Sequence, residues 1–143
     1  MLMGEYIHTI DTKGRVILPA DFRSELGETF FITKGLDNCL FIYGQAEWEA
    51  FSARLRQLPL AKQKARAVVR FFFSGAKMVE CDKQGRFLVP GPLRSYAALK
   101  KDVVLTGVMN RAELWDKESW TNYTEEVNPT VTEIAENLAD LGI

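Results

Sequence analysis

IDTKGRVILPADFR, residues 10–23, returns as CDKQGRFLVPGPLR, residues 81–94, and this recurrence decides how the chain is built. Asp11, Gly14, Arg15, Pro19 and Arg23 of the first stretch stand where Asp82, Gly85, Arg86, Pro90 and Arg94 stand in the second. The likeness resumes beyond a one-residue gap. Gly35 in TKGLDNCLFIYGQAEW aligns with Gly107 in LTGVMNRAELWDKESW, and the copies end together at Trp48 and Trp120. An internal repeat of this kind means one supersecondary unit used twice.

Within each copy the turn chemistry sets the local structure. DTKG and DKQG put Asp at the first turn position and Gly at the fourth, between strand-like runs, which predicts a protruding hairpin tip. The outgoing runs RVILP and RFLVP are continuously apolar, so they are expected to be core strands covered on both faces. Pro19 opens a short helix through Leu26, Gly27 stops it, and strand 29–33 follows; in the second copy Gly91 and Pro92 push the helix start toward Pro92. Strands near 39–43 and 113–115 close the two units. After copy one, Trp48, Phe51, Leu55 and Leu58 recur at helical spacing, and beyond Pro59 a second helix over 60–73 carries Ala65, Val68, Val69 and Phe72 on one face. After copy two, a helix from about Asp116 ends before Asn128 and Pro129. Thr130 and Glu133 then have the spacing of a capping box ahead of Ile134, Leu138 and Leu141. The expected fold class is α+β: repeat 1 at 1–50, a connecting helical hairpin at 51–76, repeat 2 at 77–122 and a C-terminal helical tail at 123–143.

With 143 residues, 47% of them hydrophobic and 26% charged, the chain has the size of one domain or of two small ones sharing a core. Cys39 and Cys81 lie far apart with no ligand at metal spacing, so both are expected as buried, reduced thiols. The N-terminal MLMGEYIHTID lacks a basic leader with an apolar core, and no run approaches a membrane span, which leads us to expect a soluble, cytoplasmic protein without membrane partners. The lone histidine, His8, sits in a strand-like alternation, and no phosphate loop, nucleophile elbow or metal cluster occurs. An enzyme, a cofactor and a small-molecule substrate are therefore not expected.

The chemistry is concentrated at the twin tips. Lys13 and Arg15 come from one, Lys83 and Arg86 from the other, and a planar, permanently charged guanidinium on a hairpin suits guanine edges or phosphate. Asp11, Gly14, Asp82 and Gly85 are read as turn-forming residues. The alternative for the arginines is that they merely pair with nearby carboxylates. Arg23 and Arg94 are assigned a structural role, and Lys62, Lys64, Arg66 and Arg70 a solvated helix face. The net charge of −1 argues against nucleic acid unless acids such as Glu118, Glu125, Glu126, Glu133, Glu136 and Asp140 gather away from a basic hairpin face.

The two D-x-x-x-R motifs DTKGR and DKQGR, the segment MGEYIHTIDTKGRVILPADFR, the run VRFFFSGA and the length together resemble the MraZ family, over nearly the whole chain. PGPLR after the second core strand, and Lys77, Met78 and Val79 before the second motif, depart from the usual pattern. The resemblance implies a pseudo-twofold pair of AbrB- and MazE-like swapped-hairpin repeats and a homo-oligomeric ring, an octamer or dodecamer. It also implies a nucleoid-associated transcriptional regulator that binds direct repeats in double-stranded DNA upstream of its own gene, in the division and cell-wall cluster. Arg15 and Arg86 match the family's DNA-contacting arginines. The competing readings are an antitoxin-like module whose acidic tail wraps a protein partner, and a scaffold that binds no nucleic acid.

Overall fold

The four-residue turn at the start of each repeat forms as its residues dictate. In the computed structural model, which describes residues 1–138 and residue 142, the Gly14 N–H donates to the Asp11 carbonyl at 3.0 Å and the Gly85 N–H to the Asp82 carbonyl at 3.0 Å. Gly14 has φ +89° and Gly85 φ +78°. An L side chain in that left-handed region costs about 1–2 kcal/mol, which is why glycine stands at both positions.

The expected hairpins barely outlast their turns. Beyond one bridge between Ile10 and Val16, strand β1 (Glu5–Thr9) leaves its own repeat. It pairs with β7 (Asp102–Gly107) of the other, Tyr6 opposite Leu105. Repeat 2 reciprocates: β5 (Lys77–Glu80) pairs with β3 (Thr29–Lys34), Val79 opposite Phe30. The core strands β2 (Arg15–Ile17) and β6 (Arg86–Leu88) pair with each other in a separate antiparallel ribbon, Val16 opposite Phe87. Adding β4 (Leu40–Gly44) and β8 (Ala112–Asp116) gives a six-stranded sheet of order β1-β7-β8-β4-β3-β5. Each repeat lends its first strand to the other, so neither completes its sheet alone.

The register is symmetric about two points. Leu40 faces Leu114 and Ile42 faces Ala112 on either side of Phe41 and Glu113. Arg15 faces Leu88 and Ile17 faces Arg86 on either side of Val16 and Phe87.

Alternation along the strands builds two cores. One face of the sheet, with Phe30, Ile32, Leu40, Ile42, Leu105 and Leu114, packs against Val16, Leu18, Phe87 and Val89 of the ribbon segments. Phe22 of helix α1 (Ala20–Leu26) and Leu93 of α4 (Gly91–Tyr96) complete that core. The other face, with Phe41, Tyr43, Val104 and Trp115, lies under α2 (Gln45–Arg56), α3 (Gln63–Ser74) and α5 (Lys117–Val127). Asp116 caps α5 by accepting the Ser119 N–H. Ribbon and long helices thus occupy opposite sides of the sheet.

Four expectations need correction. The core strands are covered on one face only: Val16 and Phe87 are buried, but Ile17 and Leu88 are 45% and 53% exposed, because the ribbon is the outermost layer. Val68 is exposed, while Ala65 and Phe72 carry the buried face of α3. Thr130 makes no capping box. A single 3-10 turn (Asn128–Thr130) links α5 to α6 (Val131–Asn137), and the Thr130 hydroxyl donates back to the Val127 carbonyl instead. The cysteines are not both buried: both are free, Cys39 buried but Cys81 only half-buried at the edge of its tip, and burial pushes both thiols up, away from the reactive thiolate. Asp140 and Leu141, read from sequence as part of the tail, lie outside the described residues.

Candidate nucleic-acid interface

Each tip aspartate does two jobs at once. Asp11 Oδ1 accepts the N–H groups of Lys13 at 3.0 Å and Arg15 at 2.8 Å, and its Oδ2 accepts Arg15 Nε at 2.7 Å. Asp82 repeats the pattern with the N–H groups of Gln84 and Arg86, both at 2.9 Å, and with Arg86 Nε at 2.9 Å. The carboxylates hold the turns, and the arginines do pair with them, as one of the two readings from sequence had it. The pairing engages Nε only. Among the described residues no acceptor meets the Nη groups of either arginine. A guanidinium held by its inner edge keeps its orientation and still offers its outer N–H groups to a planar acceptor pair.

The same bonds keep the aspartates ionised. The Arg15 N–H is the main cause that holds Asp11 below the ordinary 3.8; desolvation, next in size, opposes it, and the Arg15 guanidinium adds to the lowering. Arg86 does the same for Asp82.

Because successive strand residues point to opposite faces, Arg15 and Ile17 share the outer face of the ribbon with Arg86 and Leu88. Their cross-strand neighbours are Arg15 with Leu88 and Ile17 with Arg86. From a rise of about 3.4 Å per residue and a strand spacing of about 4.8 Å, the two arginine Cα atoms lie on a diagonal of about 8 Å. The outer face is thus a compact patch of two cations alternating with two apolar side chains.

Arg23 and Arg94 belong with this patch. A Cβ on Gly14 would collide with the Arg94 guanidinium, and one on Gly85 with that of Arg23. Each short helix therefore lays its arginine over the tip of the opposite repeat. The tips are also tied by backbone: Leu18 N–H donates to the Gly85 carbonyl at 2.9 Å and Val89 N–H to that of Gly14 at 2.9 Å. Neither Arg23 nor Arg94 forms an ion pair among the described residues. The signal was present in sequence as Arg-Ser recurring in ADFRSEL and GPLRSYA, but only the strand exchange shows which tip each arginine meets.

Two groupings result. Lys13, Arg15 and Arg94 gather at the first tip, and Lys83, Arg86 and Arg23 at the second. Both lysines are exposed. They are not equivalent, since Lys13 corresponds to Gln84 and Lys83 to Thr12. His8 lies in β1, three residues ahead of Asp11, and among the described residues no set of three or more His, Cys, Asp and Glu is placed to hold a metal. No helix among the described residues is long and apolar enough to cross a membrane.

Comparison with known proteins bears on the whole chain. Residues 1–71 and 72–141 each match the family described as "MraZ protein, putative antitoxin-like". A protein of Thermoanaerobacter sp. (strain X514) named Transcriptional regulator MraZ is 56% identical over 143 residues, covering 100% of both chains. Proteins of the same name from Caldanaerobacter subterraneus subsp. tengcongensis and from Acetivibrio thermocellus are each 54% identical over 143 residues, again covering 100% of both chains.

Proposed function

The chain belongs to the MraZ family, and from that membership we propose that it is a transcriptional regulator, not an enzyme, that binds DNA through the ribbon of β2 and β6. The observation that carries this reading is the pair of aspartate-tethered arginines on the outer face of a ribbon to which both repeats contribute. The fold reading that accompanies it is an AbrB- and MazE-like swapped-hairpin pair, supported by the reciprocal exchange of β1 and β5.

The chemistry divides among named side chains. Arg15 and Arg86 take guanine edges, where a bidentate pair contributes about 1–3 kcal/mol of discrimination against a wrong base. Ile17 and Leu88, exposed beside them on the same face, supply apolar contact for thymine methyl groups. Lys13, Lys83, Arg23 and Arg94 take phosphates and set the register. Asp11, Gly14, Asp82 and Gly85 hold the geometry. One patch is too small to address a promoter. Several patches on a ring of eight or twelve chains, engaging direct repeats in double-stranded DNA, gain affinity through effective concentration. The target is the promoter of the protein's own operon in the division and cell-wall cluster, which implies action in the cytoplasm at the nucleoid. On this reading residues 1–50 and 77–122 are the DNA-binding repeats, 51–76 the connecting hairpin and 123–143 the tail.

Fluorescence anisotropy with promoter DNA carrying the repeats, against scrambled DNA of equal length, tests the reading when light scattering measures mass on the same sample. Preference for the repeats by a high-mass species supports it. Equal, weak binding to both duplexes overturns it in favour of a protein-binding antitoxin or scaffold.

A further inference from the structure

Each tip groups two arginines and a lysine, and the difference between the tips lies just outside the ribbon. The Ile10 N–H donates to the Lys101 carbonyl at 2.8 Å, which sets Lys101 beside the residue that precedes Asp11. At the other tip, the register of Thr29 with Glu80 continues to Glu28 beside Cys81, the residue that precedes Asp82. Lys101 and Glu28 therefore hold equivalent places, and their charges are opposite.

Alternation puts both side chains on the ribbon's side of the sheet, since Val103 and Phe30, two residues further along, belong to the core beneath the ribbon. Lys101 and Glu28 are both exposed, and neither forms an ion pair among the described residues. Glu28 lines a cleft with Arg23, Asp82 and Lys83 of the second tip. The neighbouring charges do not offset the difference. Asp102 and Glu80 alternate to the helix side, one at each tip. Lys100 is engaged by Asp116 Oδ2 at 3.1 Å and Glu118 Oε2 at 3.5 Å.

We propose that Lys101 is a phosphate contact extending the first tip, and that Glu28 turns phosphate away at the same place on the second, so that each chain lies on duplex DNA in one direction. The proposal rests on the reading that the ribbon binds DNA. Exchange of the two repeats swaps Arg15 with Arg86, Ile17 with Leu88 and Arg23 with Arg94, like with like. Lys13 and Lys83 differ by one position and leave one lysine at each tip. Those residues alone let a chain meet the same site either way round. A cation facing an anion's equivalent place removes that freedom: the lysine neutralises a phosphate and releases its counterions, while the glutamate opposes the same backbone at the other end of the patch. A directed unit fits repeats that all run the same way; an undirected patch would serve inverted repeats equally well.

The test uses the full-length chain and a duplex with a single repeat, too short to engage a second patch. Anisotropy over a salt series reads affinity, and hydroxyl-radical footprinting reads direction. Lys101→Gln is expected to weaken binding about five-fold at physiological salt and to lower the salt slope by about 0.9, the share of one phosphate. Glu28→Gln is expected to tighten binding. Lys117→Gln, an equal loss of charge at the start of α5 on the helix side, is expected to leave the slope unchanged. The wild-type footprint should extend past the repeat at one end, and Lys101→Gln should shorten it there. Lys101→Glu combined with Glu28→Lys should move the extension to the other end. Both positions are exposed, so unfolding temperature and assembled mass are expected at wild-type values. An unchanged slope in Lys101→Gln, an equal loss in Lys117→Gln, or a footprint that keeps its direction in the exchanged variant overturns the proposal alone when wild type prefers the repeat to scrambled DNA. Absence of that preference in wild type overturns the ribbon reading, and the proposal with it.

Discussion

Gly14→Ala probes fold and site with one methyl group. Gly14 sits at φ +89°, so an alanine there carries about 1–2 kcal/mol of left-handed strain. Its Cβ also enters space held by the Arg94 guanidinium. That second conflict is inexpensive in stability, because the end of a long side chain can swing aside, but it removes a cation from the tip. Stability and DNA binding should therefore respond differently to an Arg94→Ala background. By thermal unfolding at fixed protein concentration, Gly14→Ala costs the same strain whether Arg94 is present or not. By anisotropy, Gly14→Ala and Arg94→Ala each weaken binding, each lower the salt slope by about 0.9 for every phosphate left without its cation, and together do little more than either alone. Additive losses in affinity would refute the placement of Arg94 over the first tip as a working contact. A stability cost that vanishes in the Arg94→Ala background would refute the strain assigned to the turn.

Asp11→Asn removes a carboxylate whose acidity is strengthened by folding. Its contribution is fully present above the ordinary 3.8 and is lost as pH falls through the lower folded value. The stability gap between wild type and Asp11→Asn, followed by denaturant unfolding across an acid series, should shrink below about pH 4. Replacing Ile17 and Leu88 by alanine should change stability by no more than about 0.5 kcal/mol each, as exposed positions do, while reducing the preference for thymine-containing repeats in competition binding. Thr33 is buried, and its hydroxyl donates to the Phe72 carbonyl, tying α3 to the sheet. Thr33→Val leaves that carbonyl without its partner and should cost about 1–3 kcal/mol in denaturant unfolding.

The turns, the short helices and the strands around Ile42 and Leu114 were legible because their signals are local: Asp and Gly at fixed offsets, Pro before a helix, alternation within a few residues. The destination of β1 was not. Nothing in EYIHT says that its hydrogen-bonding edge meets Val104 rather than a strand of its own repeat, since both choices bury the same face. The one-sided covering of Ile17 and Leu88 escaped for the related reason that an apolar run reads the same in a central strand and in an outer ribbon. At the site, Asp11 and Arg15 were identifiable as types at a spacing, but the division of labour between Nε and Nη is a matter of angstroms. The tips that Arg23 and Arg94 cover were not legible, because each belongs to the other repeat. Thr130 failed as a cap because it is itself the last residue of the 3-10 turn, and its hydroxyl donates to the Val127 carbonyl.

The double variant Arg15→Ala with Arg86→Ala, titrated against repeat-containing and scrambled duplexes over a range of salt, tests most directly whether the ribbon reads DNA. The expected result is loss of preference for the repeats, with the assembled mass unchanged by light scattering and most of the salt slope retained by Lys13, Lys83, Arg23 and Arg94. Undiminished preference for the repeats would contradict the assignment of base reading to the tethered arginines.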